Sequence, residues 1–329
     1  MKQTFRIPYL IFSAVLIISS CATRPRPVER MEAPIPEPLI SKIKQNGDDI
    51  RKFHILDENG NPVVKANLTY ENIGYEVTYD LDNAEVLGDN SFTISFQIRR
   101  DGSETVFEDT LNWKPGKGSA GLLLSMDDDY MEVWENYFSL FSEYGARITF
   151  FVNGTYTPFT ELAISLGHDV GYHGLNHKDL RGMSFDKLSE EAIEPLETYG
   201  RHGIVLLSFA FPYGFSDEPV REKLLETFNI LRGYGTTYRT YNRDEISSGY
   251  IISKAIDNVV IKDEDNFYRL ITLMLRTVKF LGDDFILPLT THDISDTEPW
   301  AISQKRLEFL LQTTADLNLI FYCYSDFIY

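Results

Sequence analysis

From residue 121 to 323, short apolar runs alternate with segments whose apolar positions recur every three or four residues. The runs at 121–126, 147–152, 168–172, 204–211, 229–235, 258–261, 285–291 and 318–323 have the length and β-branched content of buried strands. Helical spacing marks 184–199, 217–227, 264–280 and 303–316, and also Tyr130, Val133, Trp134, Tyr137, Phe138 and Phe141, with Gly145 as a C-terminal cap. Trp134 is therefore expected in the core. Repeated strand–helix alternation predicts a parallel sheet, open or closed into a barrel. In a barrel, the residues just past each strand's C-terminal end converge on one face.

A different pattern fills 48–114. In Phe92-Thr93-Ile94-Ser95-Phe96-Gln97-Ile98 every second side chain is apolar, the period of a half-buried strand. Turn-forming stretches at Glu58-Asn59-Gly60-Asn61-Pro62 and Asp101-Gly102-Ser103 separate such strands. A small β-sandwich-like module is expected there. Nothing in it identifies a ligand, so a packing or spacer role is preferred to carbohydrate binding.

The N-terminal segment has Lys2 and Arg6 ahead of an apolar stretch at 7–20, the layout of an export signal. Too few uninterrupted apolar residues, with Pro8 among them, argue against a retained spanning helix. The stretch runs into Ile18-Ser19-Ser20-Cys21, which resembles a bacterial lipobox. Residues 1–21 are thus expected to be a lipoprotein signal ending at a lipidated Cys21. Residues 22–47 hold Pro25, Pro27, Pro34, Pro36 and Pro38 among charges and read as an extended tether. The expected location is the periplasmic or cell-surface face of a membrane.

Composition narrows the partners. The 329 residues are 43% hydrophobic, enough for a substantial core, and 31 basic against 49 acidic side chains give a net charge of −18. That balance disfavours nucleic acid and anionic lipid surfaces. Of the two cysteines, Cys323 lies in an apolar run and reads as packing, so no intrachain disulfide is expected once Cys21 carries lipid.

Three pieces carry chemistry, and all fall at predicted strand ends: Asp127-Asp128, His173 with His177, and His292-Asp293. Asp and His can hold a divalent metal with positions left open, while a free carboxylate and an imidazole share the proton transfers. His173 and His177 are four apart, so a helical turn would put both imidazoles on one side. Alone, an acidic triplet also suits a helix N-terminus, and two histidines with a carboxylate also suit an Fe(II) oxygenase. Strand–helix alternation opposes the jelly roll on which that iron triad usually sits.

In order along the chain, Ser125-Met126-Asp127-Asp128-Asp129-Tyr130, Tyr144-Gly145 with Thr149-Phe150-Phe151-Val152, Gly167-His168-Asp169-Val170-Gly171-Tyr172-His173 with Asn176-His177, Phe209-Ala210-Phe211-Pro212-Tyr213-Gly214, and Thr291-His292-Asp293 can be read together. Residues 115–329 on this basis resemble the NodB-type polysaccharide deacetylases, carbohydrate esterase family 4. The resemblance implies a distorted (β/α) barrel preceded by the β-rich module. It implies Asp128, His173 and His177 as metal ligands, zinc being expected and Co2+, Mn2+ or Ni2+ possible alternatives. It also implies Asp127 as general base, His292 as general acid, and the backbone N–H of Tyr213 as an oxyanion donor.

Two departures stand out. Ala210 occupies the place where the family often has an arginine that pairs with the base; Arg232 on the next strand could substitute, though a salt bridge elsewhere is the preferred reading for it. The Asp that usually tunes the acid histidine has no clear counterpart, Asp257 being the candidate. His168 is expected to be structural, His202 superficial and Asp129 solvated, with Asp293 either orienting a neighbour or capping a turn. Tyr172, Tyr213 and Trp300 could stack on sugar rings, with ordinary packing an equal reading for each. The expected activity is removal of acetyl groups from an acetylated carbohydrate polymer, most simply the N-acetyl groups of an amino-sugar polysaccharide. The alternatives are an O-acetyl esterase and a non-catalytic carbohydrate-binding envelope lipoprotein.

Overall fold

The computed structural model describes residues 64–328 apart from 71, 87–91, 101–105, 114–119, 237 and 283. The signal segment, Cys21 and the tether lie outside the described residues. Among those described, no helix is long and apolar enough to cross a membrane.

Strands β1 (Val64–Tyr70), β2 (Ile73–Val86), β3 (Phe92–Arg100) and β4 (Val106–Trp113) form an antiparallel meander in sequence order. Ile98 pairs with Val77 and Phe96 with Tyr79 across β2 and β3, and all four side chains are buried while Gln97 and Arg99 are exposed. The period of two in the sequence thus builds one buried face. The described strands make a single sheet, so the second layer of a sandwich is not among them.

The larger sheet is parallel throughout. It comprises β5 (Gly121–Asp128), β6 (Thr149–Val152), β7 (Asp169–Tyr172), β8 (Ser208–Ala210), β9 (Ile230–Tyr234), β10 (Tyr250–Ala255) and β11 (Ile286–Thr291), each paired with the next. Strand β11 then pairs with β5, from Ile286 opposite Gly121 to Thr291 opposite Met126, which closes a seven-stranded barrel. An eighth strand, β14 (Ile320–Tyr322), pairs with β5 at Gly121–Leu123, whereas β6 pairs with β5 only from Ser125 onward. A strand has two edges and β11 occupies one, so β14 and β6 share the other, and β14 wedges into the bottom of the barrel. Gly121 permits this: a Cβ there would lie 2.2 Å from the Ile320 carbonyl oxygen and 2.7 Å from the Tyr322 ring. The expectation of a distorted (β/α) barrel is met.

Helices α1 (Met131–Glu135), α2 (Phe138–Glu143), α3 (Pro158–Ser165), α4 (Phe185–Ala192), α5 (Leu196–Gly200), α6 (Glu218–Leu224), α7 (Arg243–Ser247), α8 (Glu264–Leu281) and α9 (Gln304–Asp316) follow the strands. Between β11 and α9, the short strands β12 (Asp293–Ile294) and β13 (Ala301–Ile302) pair with each other. Helix α8 is capped by the Asp263 side chain, which accepts from Asn266 N–H at 2.7 Å, and it buries Phe267, Ile271, Met274, Leu275 and Val278 at helical spacing. Strand β2 of the meander lies against it.

Two elements differ from expectation. Residues 258–261 are a turn and not a strand, with Val260 and Ile261 N–H donating to the Asp257 carbonyl at 2.9 and 3.0 Å. The strand is β10, eight residues earlier at its start, whose mixed Tyr-Ile-Ile-Ser-Lys-Ala sequence hides it from a search for apolar runs, while Asp257-Asn258 are turn formers. The helix expected at 184–199 is two helices, because Pro195 stands at the head of α5 and lacks the N–H that continuation needs.

Candidate active site

The carboxyl ends of β5, β7, β8, β9, β10 and β11 bring Asp127, Asp128, His173, His177, Tyr213, Arg232, Asp257 and His292 to one mouth of the barrel. Asp128 ends β5, and its Oδ1 lies 3.3 Å from His173 Nε2 and 3.2 Å from His177 Nε2. One donor atom from each of the three lies within 4.8 Å of the others. His173 follows β7 directly, but His177 sits in an irregular loop with a φ of 52°, not one helical turn on. The helical-turn expectation for His173 and His177 is therefore corrected. Gly174 at φ 90° turns the chain, and buried Glu191 of α4 fixes the loop. It accepts from Asn176 N–H at 2.5 Å and Asn176 Nδ2 at 2.9 Å, and its own carbonyl accepts from Leu175 N–H at 2.8 Å.

The residues present fit a divalent cation. Asp128 Oδ1 is buried without a hydrogen-bond partner, an arrangement costly unless a ligand meets it. His173 Nδ1 lies 2.8 Å from the Ala210 carbonyl, so Nδ1–H donates there and the Nε2 lone pair faces Asp128. Burial and the charge of His173 push the His177 imidazole below its ordinary value, favouring the neutral form that ligates. Burial opposes ionisation of Asp128, but the proximity of the imidazoles of His173, His292 and His177 outweighs it and brings the carboxyl down to about 2.

Asp127, one residue earlier on β5, points to the barrel interior and is fully buried. Its Oδ2 accepts from Arg232 Nη2 and from the Tyr234 hydroxyl, the latter at 2.5 Å. Its Oδ1 is buried with no hydrogen-bond partner. The arginine absent at Ala210 is thus supplied from β9, the neighbouring strand. Arg232 is itself fully buried beneath the Phe151 and Tyr234 rings, and despite burial the Asp127 charge keeps it cationic.

His292 follows β11 and is 8% exposed. Asp257, at the end of β10, accepts from Thr291 Oγ1 at 2.8 Å and His292 N–H at 3.1 Å through Oδ1, and from His292 Nδ1 at 3.1 Å through Oδ2. Burial disfavours the imidazolium, yet the Asp257 hydrogen bond and the charges of Asp257, Asp127 and Asp128 raise His292 to about 9. Trp134 Nε1 donates to the His292 carbonyl at 2.9 Å, so this core tryptophan also fixes the histidine backbone. Asp257 is the carboxylate that the sequence offered only as a candidate.

Sequence reasoning missed Tyr234. Its hydroxyl lies 2.5 Å from Asp127 Oδ2 and 3.0 Å from His292 Nε2. The available signal was its place two residues after Arg232, which on a strand puts both side chains on one face.

Tyr213 sits at φ 59° in the turn Pro212–Gly214 after β8. Three of the six described non-glycine residues with positive φ are Asp128, His177 and Tyr213, so backbone strain concentrates in this cluster. Gly214 is required beside it: at φ 70° a Cβ would also meet Tyr234 at 2.5–2.6 Å. The Tyr213 ring is 52% exposed and 4.5 Å from the His177 ring, and Trp300, 53% exposed, is 5.6 Å from the His292 ring. Tyr172 is not a rim residue: it is fully buried and its hydroxyl donates to the Gly154 carbonyl at 3.0 Å.

The remaining assignments fall away from the centre. His168 accepts from Ile148 N–H at 3.2 Å and stacks on Phe138, and burial with the Arg147 charge pushes it down to about 4, a neutral packing group. His202 stacks on Tyr156 at the surface, Asp129 is exposed, Asp293 accepts from Ile294 N–H at 2.7 Å, and Cys323 is buried.

Residues 115–227 match the family described as polysaccharide deacetylase. The stretch takes in Asp127, Asp128, His173, His177 and Tyr213 and stops short of Arg232, Tyr234, Asp257 and His292. Over that stretch, about a third of the chain, the sequence is similar to polysaccharide deacetylase domains. No curated protein sequence matches it. Among solved structures it is similar to a peptidoglycan deacetylase from Bacillus subtilis, at 15% identity over 64% of this chain and 90% of the other, with a TM-score of 0.44. It is similar also to the chitin deacetylase of the fungal pathogen Colletotrichum lindemuthianum, at 16% identity over 65% and 89%, TM-score 0.44. A family 4 carbohydrate esterase from Streptomyces lividans follows at 14% identity over 61% and 88%, TM-score 0.40.

Proposed function

We propose that the protein is a metal-dependent hydrolase that removes N-acetyl groups from an amino-sugar polysaccharide. The observation that carries this reading is the pairing of a three-donor cluster, Asp128, His173 and His177, with a carboxylate oxygen of Asp127 that has no hydrogen-bond partner and with His292, held by Asp257, across the same barrel mouth. A divalent cation held by those donors, zinc being the natural choice for two imidazoles and a carboxylate, supplies Lewis acidity to the acyl carbonyl and to a water.

This chain's residues then divide the work. Asp127 Oδ1, with no other partner, takes a proton from the attacking water as its oxygen bonds to the acyl carbon. The Tyr213 N–H, presented by the strained turn, donates to the oxyanion that develops. As the carbon–nitrogen bond breaks, His292 Nε2 gives its proton to the leaving nitrogen, releasing acetate and a free amine. Arg232 donates to Asp127 Oδ2 and so orients the base, the part that Ala210 cannot play. Tyr213 and Trp300, exposed on either side of the centre, offer apolar faces to pyranose rings. Acetate release from N- and O-acetylated glycans tests the reading. Activity is expected on N-acetylated amino-sugar oligomers and to fall at least about 100-fold in Asp127→Asn and in His292→Ala. Parental rates in both variants, with the cation still bound, would sink the mechanism.

We also propose export and lipid anchoring through Cys21, supported by the 1–21 segment and the Pro-rich 22–47 stretch. The measurement is incorporation of labelled fatty acid by the full chain in a bacterial host, expected to vanish in Cys21→Ser.

A further inference from the structure

Tyr234 joins the two groups that the proposed reaction uses in opposite protonation states. We infer that Tyr234 is a positioning residue whose hydroxyl donates to Asp127 Oδ2 and accepts from His292 Nε2–H, thereby assigning the base to Oδ1 and aiming the acid's proton across the barrel mouth. The inference deepens the deacetylase reading and rests on it for its catalytic consequence.

Donor counting fixes the directions. Asp127 Oδ2 faces two donors, Arg232 Nη2 and the Tyr234 hydroxyl. A hydroxyl has one proton, so Tyr234, having given it to the carboxylate, can only accept from His292. His292 Nδ1–H is committed to Asp257, so the proton at Nε2 is the one that meets the hydroxyl oxygen at 3.0 Å. With Oδ2 doubly engaged, the buried Oδ1 is the oxygen left basic. Nothing is transferred through Tyr234. Burial raises its phenol well above the ordinary value, so it keeps its own proton. When a leaving nitrogen takes the Nε2 proton, one N–H bond breaks as another forms and the tyrosine merely loses a donor.

The fold holds the ring for this task. Arg232 and Tyr234 alternate on β9 with Gly233 between them, and the guanidinium lies 4.5 Å from the Tyr234 ring centroid. On the other side the Pro212–Gly214 turn comes so close that only a glycine fits at 214. The oxyanion turn, the base and the acid are therefore registered against one phenol. The charged and titratable groups that face His292 are Asp257 from the end of β10, Asp127 and Asp128 from β5, His177 from the loop after β7, and Tyr234 from β9.

Tyr234→Phe keeps the ring and removes only the hydroxyl. In the full chain supplied with Zn2+, kcat for acetate release is expected to fall about 10- to 100-fold with KM within about twofold, as a small misplacement of catalytic groups costs. Independently of any substrate, NMR titration with labelled histidine, His292→Ala identifying the resonance, is expected to show the His292 pKa lowered in Tyr234→Phe, because its cation loses an acceptor. Zn2+ affinity and thermal stability close to the parent's are expected alongside. A parental kcat in an active enzyme overturns the inference. So does an unchanged His292 titration, and that result holds even if the parent releases no acetate from any glycan, the outcome that instead refutes the deacetylase reading.

Discussion

Asp257 shows how one buried carboxylate would set the working range of His292 as the acid of the proposed reaction. It gives His292 a hydrogen bond to Nδ1 and a nearby negative charge, and the imidazole rises to about 9. An acid must be protonated to act, so activity is expected to persist through neutral pH and to fall as pH rises through about 9. The same linkage gives stability that is fully present below the ordinary histidine value near 6.5 and is lost as pH rises through the folded value. Asp257→Asn preserves an oxygen for Nδ1–H but removes the charge. The alkaline limb of kcat/KM is expected to move to lower pH, and an unmoved limb would show that His292 is not the group titrating. At this scale the sequence was most legible where a residue's chemistry and its place coincide, as for Asp127, Asp128, His173, His177 and His292. It was least legible for Arg232, Tyr234 and Asp257, because these reach the site from β9 and β10 and only the closed barrel brings those strands to β5.

Elements set how firmly the donors are held. Asp128 is the last residue of a strand buried along its length, whereas His177 depends on a loop that Glu191 holds from α4. Spacing alone suggested a helical turn, since four residues apart is also compatible with a looped excursion; the glycine at 174 was the available sign of the latter. Glu191→Ala leaves the Asn176 amide and side chain without their acceptor and frees the loop. Cation affinity measured by calorimetry is expected to drop about 10- to 100-fold, the usual consequence of losing a group that orients a ligand, while kcat at saturating cation stays near the parent's. A kcat that fails to recover would place Glu191 in the chemistry itself. The strand expected at 258–261 illustrates the converse limit: β10 is built from residues of mixed polarity, and its pairing with β9 and β11 fixes it as a strand more than its own side chains do.

For the whole molecule, the proposed metal site implies that cation binding and barrel stability are linked. Asp128 comes from β5 and the two histidines from the segment that follows β7, and these meet only when β5, β6 and β7 are paired. A cation that binds the folded barrel and not the unfolded chain stabilises it by about 2.7 kcal/mol at a hundredfold excess over Kd. For a barrel of this size that is roughly 5 to 10 °C in Tm. The parent is expected to show this rise on addition of Zn2+ and to lose it with a chelator, read by calorimetry or circular dichroism. Asp128→Asn is the informative variant, because asparagine tolerates the left-handed backbone that Asp128 adopts at φ 84° yet lacks the anionic oxygen. Its own Tm without cation should sit near the parent's, and Zn2+ should raise it little. An equal rise in Asp128→Asn would mean that the cation stabilises the protein elsewhere, and the three-donor cluster would lose its claim to be the metal site.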